Sequence, residues 1–158
     1  MSKNIYSYED GYSYIDLYQY GIDNLNSADV LFKYGPEYFD SAGYLCHLGF
    51  ELILKSLCLY SNRYFEGEHD LKNIVKLVDK IITFDKQKKR VLNVINTYKE
   101  LRYPNRNNPT EVGIDDLPSI HMLKAYIIDN IPTNMKKELE KLSVLNKGNR
   151  VLMYKNSI

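Results

Sequence analysis

The stretch from Ala42 to Leu57 limits the fold more than any other part of the chain. Ala42, Gly43, Cys46 and Gly49 recur at steps of one and three, and Phe50, Ile53, Leu54 and Leu57 follow at helical spacing. That is the period of an α-helix and not of a strand. A glycine inside a helix costs about 1 kcal/mol relative to alanine, so two of them in so short a run need a structural reason. Small side chains on one face let a neighbouring helix approach closely. The spacing predicts a central helix over about 36–60, buried on more than one side. Within it Glu51 and Lys55 stand at i and i+4, the favourable order for an ion pair on one face.

The rest of the chain carries the same period. Ile15, Tyr18, Ile22, Leu25, Ala28 and Phe32 predict a helix over about 12–33, with Asp16, Asp23 and Asp29 off the stripe. Gly35 and Pro36 stop it and open the next, since proline suits a first turn. After a loop at 61–69, Asp70 or a near neighbour caps a third helix whose apolar face is Leu71, Ile74, Val75, Val78 and Ile82. A basic run (Lys86, Lys88, Lys89, Arg90) opens a fourth, striped by Val91, Val94, Ile95, Tyr98 and Leu101. Pro104 ends it, because the residue before a proline avoids helical angles. Residues 103–117 form a loop rich in Asn and Pro. Pro118 introduces a last helix with Leu123, Ala125, Tyr126, Ile127 and Ile131 inward, and Pro132 splits it, leaving a shorter helix over about 133–145. No hairpin dipeptide joins alternating segments, so no strand is expected. The fold class is all-α, in one domain over 10–145 between a flexible end at 1–9 and a flexible tail at 146–158.

Composition agrees with a single packed domain. The chain has 158 residues, 44% of them hydrophobic and 26% charged, enough to bury a core and too apolar for disorder. Trp is absent and Tyr reaches 15, so tyrosine supplies much of the aromatic packing while its hydroxyl seeks water or a partner. A net charge of +1 exerts no global pull on nucleic acid or membrane. The charge is uneven, however. Residues 1–40 hold 2 basic and 7 acidic groups, and residues 63–106 hold 11 basic and 6 acidic ones. Such a division either serves a polyanion or lets the two regions attract each other within or between subunits. Cys46 and Cys58 lie on one helix, about 18 Å apart at helical rise, too far for a disulfide. Free thiols, no signal-peptide pattern and no long apolar run point to the cytoplasm and away from the membrane. No metal-ligand spacing, glycine-rich phosphate loop or framed nucleophile is present, so no metal or cofactor is expected.

Three motifs in order carry a resemblance. The run from Ala42 to Leu57, with small residues ahead of Glu51-x-x-x-Lys55, is similar to the second helix of the HEPN family of prokaryotic nucleotide- and RNA-associated proteins. His69-Asp70-Leu71 is similar to the start of its third helix. Arg102-Tyr103-Pro104-Asn105 resembles the Arg-Tyr-Pro-Asp that ends its fourth. The resemblance spans about residues 12–131. It implies an up-and-down bundle of four long helices plus a short C-terminal one, commonly a homodimer. Members include RNA-cleaving toxins, antiviral defence components, partners of small nucleotidyltransferases and nucleotide-binding modules.

The nuclease branch of that family carries an Arg followed, after four to six residues, by a His. The Arg would hold phosphate and the His would move a proton, without metal. Here the permitted positions after Arg102 are Asn107, Asn108 and Pro109, and after Arg106 they are Glu111, Val112 and Gly113. Arg63 and His69 have the right count in a different loop. The expected function is therefore a module that binds RNA, a nucleotide or a partner such as a nucleotidyltransferase, in a toxin–antitoxin or phage-defence setting. Its ligand would lie against Arg102, Tyr103, Asn105, Arg106 and Asn107, with Glu51 and Lys55 either binding a ligand or forming a structural pair. The alternative is a metal-independent endoribonuclease using Arg102 with an atypical base, His69. A third possibility is a partner protein whose acidic first helix covers a basic one. Arg102 could also bond the last helical carbonyls or bridge to Glu51. His47 reads as a satisfied core histidine, and His121 as solvated.

Overall fold

A computed structural model describes residues 3–146 and is mostly helical. Two long helices form its spine, α1 (Tyr14–Tyr34) and α2 (Phe39–Asn62). Ser13 starts α1 by accepting the N–H of Ile15, which satisfies one of the donors a helix leaves open. Gly35 ends it, and Pro36–Tyr38 make a single 3-10 turn into α2. The two helices run antiparallel: Tyr14 packs on Tyr60 at one end and Phe32 on Phe39 at the other.

Midway, Gly21 and Gly49 face each other. A Cβ on Gly49 would lie 2.9 Å from the Gly21 carbonyl oxygen and 2.7 Å from a Leu25 methyl, and one on Gly21 would lie 2.7 Å from the Gly49 carbonyl oxygen. The small-residue stripe thus does what its spacing predicts, and Gly21 is its unpredicted counterpart. A third small residue, Gly43, serves the opposite flank. A Cβ there would meet Leu101 at 2.9 Å and Val112 at 2.8 Å. The stretch Pro36–Asn62 has the length and hydropathy of a bilayer-crossing helix, yet 78% of its most apolar window is buried inside the molecule. Cys46 and Cys58 are free and buried there.

The expected third long helix is not formed. Helix α3 covers only Leu71–Leu77. The side-chain amide of Asn62 donates to the Leu77 carbonyl at 3.3 Å, meeting one of the acceptors exposed at a helix end. The Val78 carbonyl then receives the N–H groups of both Ile81 and Ile82 in an irregular turn. Val78 and Ile82 are buried all the same, so the apolar period outlasts the helix that it suggested. Helix α4 (Lys86–Thr97) starts at the cap Asp85 and tightens into a 3-10 segment, Tyr98–Arg102. Tyr98, wholly buried, anchors that segment in the core. After a loop and a 3-10 turn at Ile114–Asp116 come α5 (Leu117–Asn130) and α6 (Thr133–Asn146), divided at Pro132 as expected.

Two short strands, β1 (Ile5–Ser7) and β2 (Tyr64–Glu66), pair antiparallel with Tyr6 opposite Phe65. No strand was expected, and three residues are too few for alternation to register in a sequence. Packing explains them: Tyr6 stacks on Phe65 with ring centres 5.4 Å apart, and Tyr12 meets Phe65 edge-on at 5.1 Å. Part of the 1–9 segment is therefore paired. The tail expected at 146–158 lies, from 147 on, outside the described residues. His121, expected in solvent, is half-exposed and bonded to Asp29, joining α5 to α1.

Candidate functional site

A polar cluster lies where α2 passes the start of α3. Glu51 is buried, and one of its carboxylate oxygens, Oε1, accepts from the Lys55 ammonium at 2.7 Å and from His69 Nδ1 at 2.9 Å. A carboxylate only accepts, so Nδ1 carries the shared proton and the far ring nitrogen, Nε2, is left to the solvent side. The His69 side chain is 74% exposed despite that bond. Its backbone is held as well. The Glu68 carboxylate accepts the N–H groups of His69 and Asp70, both at 2.9 Å, while the His69 carbonyl accepts from His47 Nε2 at 3.0 Å. His47 is buried, and burial lowers its pKa below the ordinary histidine value, against the pull of the nearby Glu51. It is the satisfied core histidine that its position suggested. The backbone N–H of Asp70, joined by Asn73 and the N–H of His69, holds the Glu68 carboxyl down at about 2, against the opposing effect of desolvation.

Asp70 extends the cluster. It caps α3 through the N–H of Lys72 at 2.9 Å, receives the Asn96 amide at 3.3 Å, and lies 3.5 Å from the Lys99 ammonium. Asn96 in turn accepts the N–H of Leu71 at 2.8 Å, tying α4 to the start of α3. Neither Asn96 nor Lys99 was singled out from the sequence. They lie 26 and 29 residues from Asp70, and only the fold brings them near.

The second polar region is the corner after α4. Arg102, Tyr103, Asn105, Arg106 and Asn107 are all exposed. The Arg102 guanidinium sits over the Tyr103 ring, 5.3 Å from its centre. Asn105 shapes the turn by accepting the N–H of Asn107 at 2.9 Å. Among the described residues neither Arg102 nor Arg106 forms an ion pair, and Arg102 does not reach Glu51, whose partners are Lys55, His69 and the more distant His47. Glu51 and Lys55 are both buried, so their direct contacts are with the protein, and Glu51 meets the surface only through His69.

Two clefts connect these regions. One of about 380 Å³ is lined by Asn96, Lys99, Glu100 and Asn108 among others, and one of about 250 Å³ by Asn105, Arg106, Leu101 and Asp40. Glu100, Asn108, Pro109 and Thr110 line both. The two clefts share these residues and together form a trough from Lys99 to Arg106, polar beside Lys99 and mainly apolar towards Arg106. Leu101 lines the part nearer Arg106 and packs beside Gly43. Among the described residues no cluster of three or more His, Cys, Asp or Glu side chains is placed to hold a metal ion.

The model of the HEPN domain matches residues 14–118. The chain belongs to the HEPN family. Comparisons with curated proteins and with solved structures give no match. The matched part of this HEPN domain runs from the start of α1 to the start of α5, so it contains the buried cluster, the trough and the exposed corner. Within it, the positions separated from Arg102 by four to six residues hold no histidine, and His69, the exposed histidine oriented by Glu51, lies at the start of α3.

Proposed function

We propose that this HEPN domain binds RNA or a nucleotide at the corner from Arg102 to Asn107, without the family's Arg/His nuclease pair. The observation that carries this reading is the pair of exposed guanidinium groups, Arg102 and Arg106, free of ion pairs among the described residues on either side of exposed Tyr103. A guanidinium offers phosphate two parallel donors, and an exposed ring stacks on a base at about 1–3 kcal/mol. The trough behind them supplies the Asn108 amide and the Lys99 ammonium. In this reading the protein is cytosolic and a homodimer, its long helices forming an up-and-down bundle. It serves a toxin–antitoxin or phage-defence system beside a nucleotidyltransferase or similar partner. Fluorescence anisotropy with a labelled single-stranded RNA tests the site. Binding should weaken at least tenfold in Arg102→Ala/Arg106→Ala and in Tyr103→Ala, and unchanged affinity in both would refute the assignment.

A second reading is favoured by the hydrogen bond from His69 Nδ1 to buried Glu51. A histidine so oriented offers Nε2 as a proton acceptor, which is the role a metal-independent endoribonuclease needs beside a phosphate-holding arginine. Purified protein incubated with RNA decides between them. Cleavage that disappears in His69→Ala while binding survives establishes the nuclease, and RNA that stays intact over hours leaves the binding module.

A further inference from the structure

A cleft of about 360 Å³ lies away from the trough, between α3 and the first turns of α4. Its depth is hydrocarbon: Val75, Ile82, Phe84 and Leu92, the last three almost wholly buried. Its rim is cationic. Lys72 and Lys76 stand one turn apart on α3, and Lys89 faces them from α4 in helical register with Leu92. All three are exposed, and among the described residues none forms an ion pair. Like charges at i and i+4 destabilise a helix, so Lys72 and Lys76 repel each other unless an anion lies between them and Lys89. Asp79 is the acidic member of the lining, against three lysines. The neighbouring Lys88 is already engaged, 2.6 Å from Asp85 and 4.3 Å from the centre of the Tyr126 ring. Of the basic run at the start of α4, Lys88 thus serves an internal contact and Lys89 this rim.

We propose that the α3/α4 cleft binds a small amphipathic anion, a hydrocarbon body ending in one carboxylate or similar group. Its volume falls in the range of small-molecule sites, about 300–1,000 Å³. Thr83 and Asn93 also line the cleft as exposed residues, while Val75, Ile82, Phe84 and Leu92 carry no side-chain donor or acceptor, so the body is recognised by burial and the head by the lysines. This site is separate from the RNA corner, and its failure leaves that reading standing.

The full chain is titrated with 8-anilinonaphthalene-1-sulfonate, whose fluorescence reports apolar burial beside a cationic rim. One saturable site is expected, weakened by salt and displaced by octanoate at least tenfold more effectively than by octanol. Lys76→Glu/Lys89→Glu should raise the Kd at least tenfold while circular dichroism and the melting temperature stay at wild-type values. As a second variant, Val75→Ser should weaken uptake with the charges intact. Amide shifts should move at Ile82, Phe84 and Leu92. No saturable uptake, indifference to charge reversal, shifts confined to other surfaces, or displacement by adenosine monophosphate in preference to octanoate would each overturn the proposal.

Discussion

Glu51 is tightly constrained, because a buried carboxylate is stable only while its lone pairs are met. Lys55 and His69 meet those of Oε1. Lys55→Met should therefore cost about 3–5 kcal/mol in urea unfolding, as expected when one member of a buried pair is removed. Replacing both, Glu51→Leu with Lys55→Met, should recover most of that loss, and equal loss in the single and double variants would contradict the pairing. Glu68 gives a pH signature of a different kind. Its folded pKa, about 2, lies below the ordinary glutamate value of 4.5. Its contribution is therefore fully present above pH 4.5 and lost as pH falls from there towards 2. Glu68→Gln should flatten the dependence of the urea midpoint on pH across that window. Identical slopes in wild type and variant would show that the backbone donors of His69 and Asp70 do not hold the carboxylate.

At the scale of elements, the contact between α1 and α2 depends on two glycines back to back. Gly49→Ala would push a methyl against the Gly21 carbonyl and Leu25, and backbone yields less readily than a side chain. We expect about 1–3 kcal/mol of destabilisation from this overpacking. Gly43→Ala meets only the side chains of Leu101 and Val112, so it should cost less while shifting amide signals along residues 98–112. Equal costs for the two would contradict the geometry. Much of this architecture was legible in the chain: the stripe at Ala42–Gly49, the stops at Gly35–Pro36 and Pro132, and the cap Asp70 all act locally. Helix α3 was over-read because Val78 and Ile82 keep the apolar period after the hydrogen-bond pattern has ended. The β1–β2 pair was invisible because it depends on Tyr6 meeting Phe65, 59 residues later. Asn96 and Lys99 were missed for the same reason, since their meaning lies in their nearness to Asp70. Arg102 to Asn107 could be named because Arg102-Tyr103-Pro104-Asn105 resembles the HEPN motif at the end of the fourth helix and Arg106 adds a second cation to the loop that follows.

For the molecule as a whole, part of the charge is met by pairs within the fold. Asp29 pairs with Lys33 and His121, Asp85 takes Lys88 and Asp70 takes Lys99. Exposed cations without an ion pair among the described residues include those at the α3/α4 cleft and at the corner after α4. The account's central claim is that Arg102 and Arg106 hold nucleic-acid phosphate at that corner. The direct measurement is the salt dependence of single-stranded RNA affinity for the wild type and for Arg102→Ala/Arg106→Ala. Each phosphate contact contributes a slope of about 0.7 in log affinity against log salt, so removing two should flatten it by about 1.4 and weaken binding. Parallel slopes with unchanged affinity would contradict the claim.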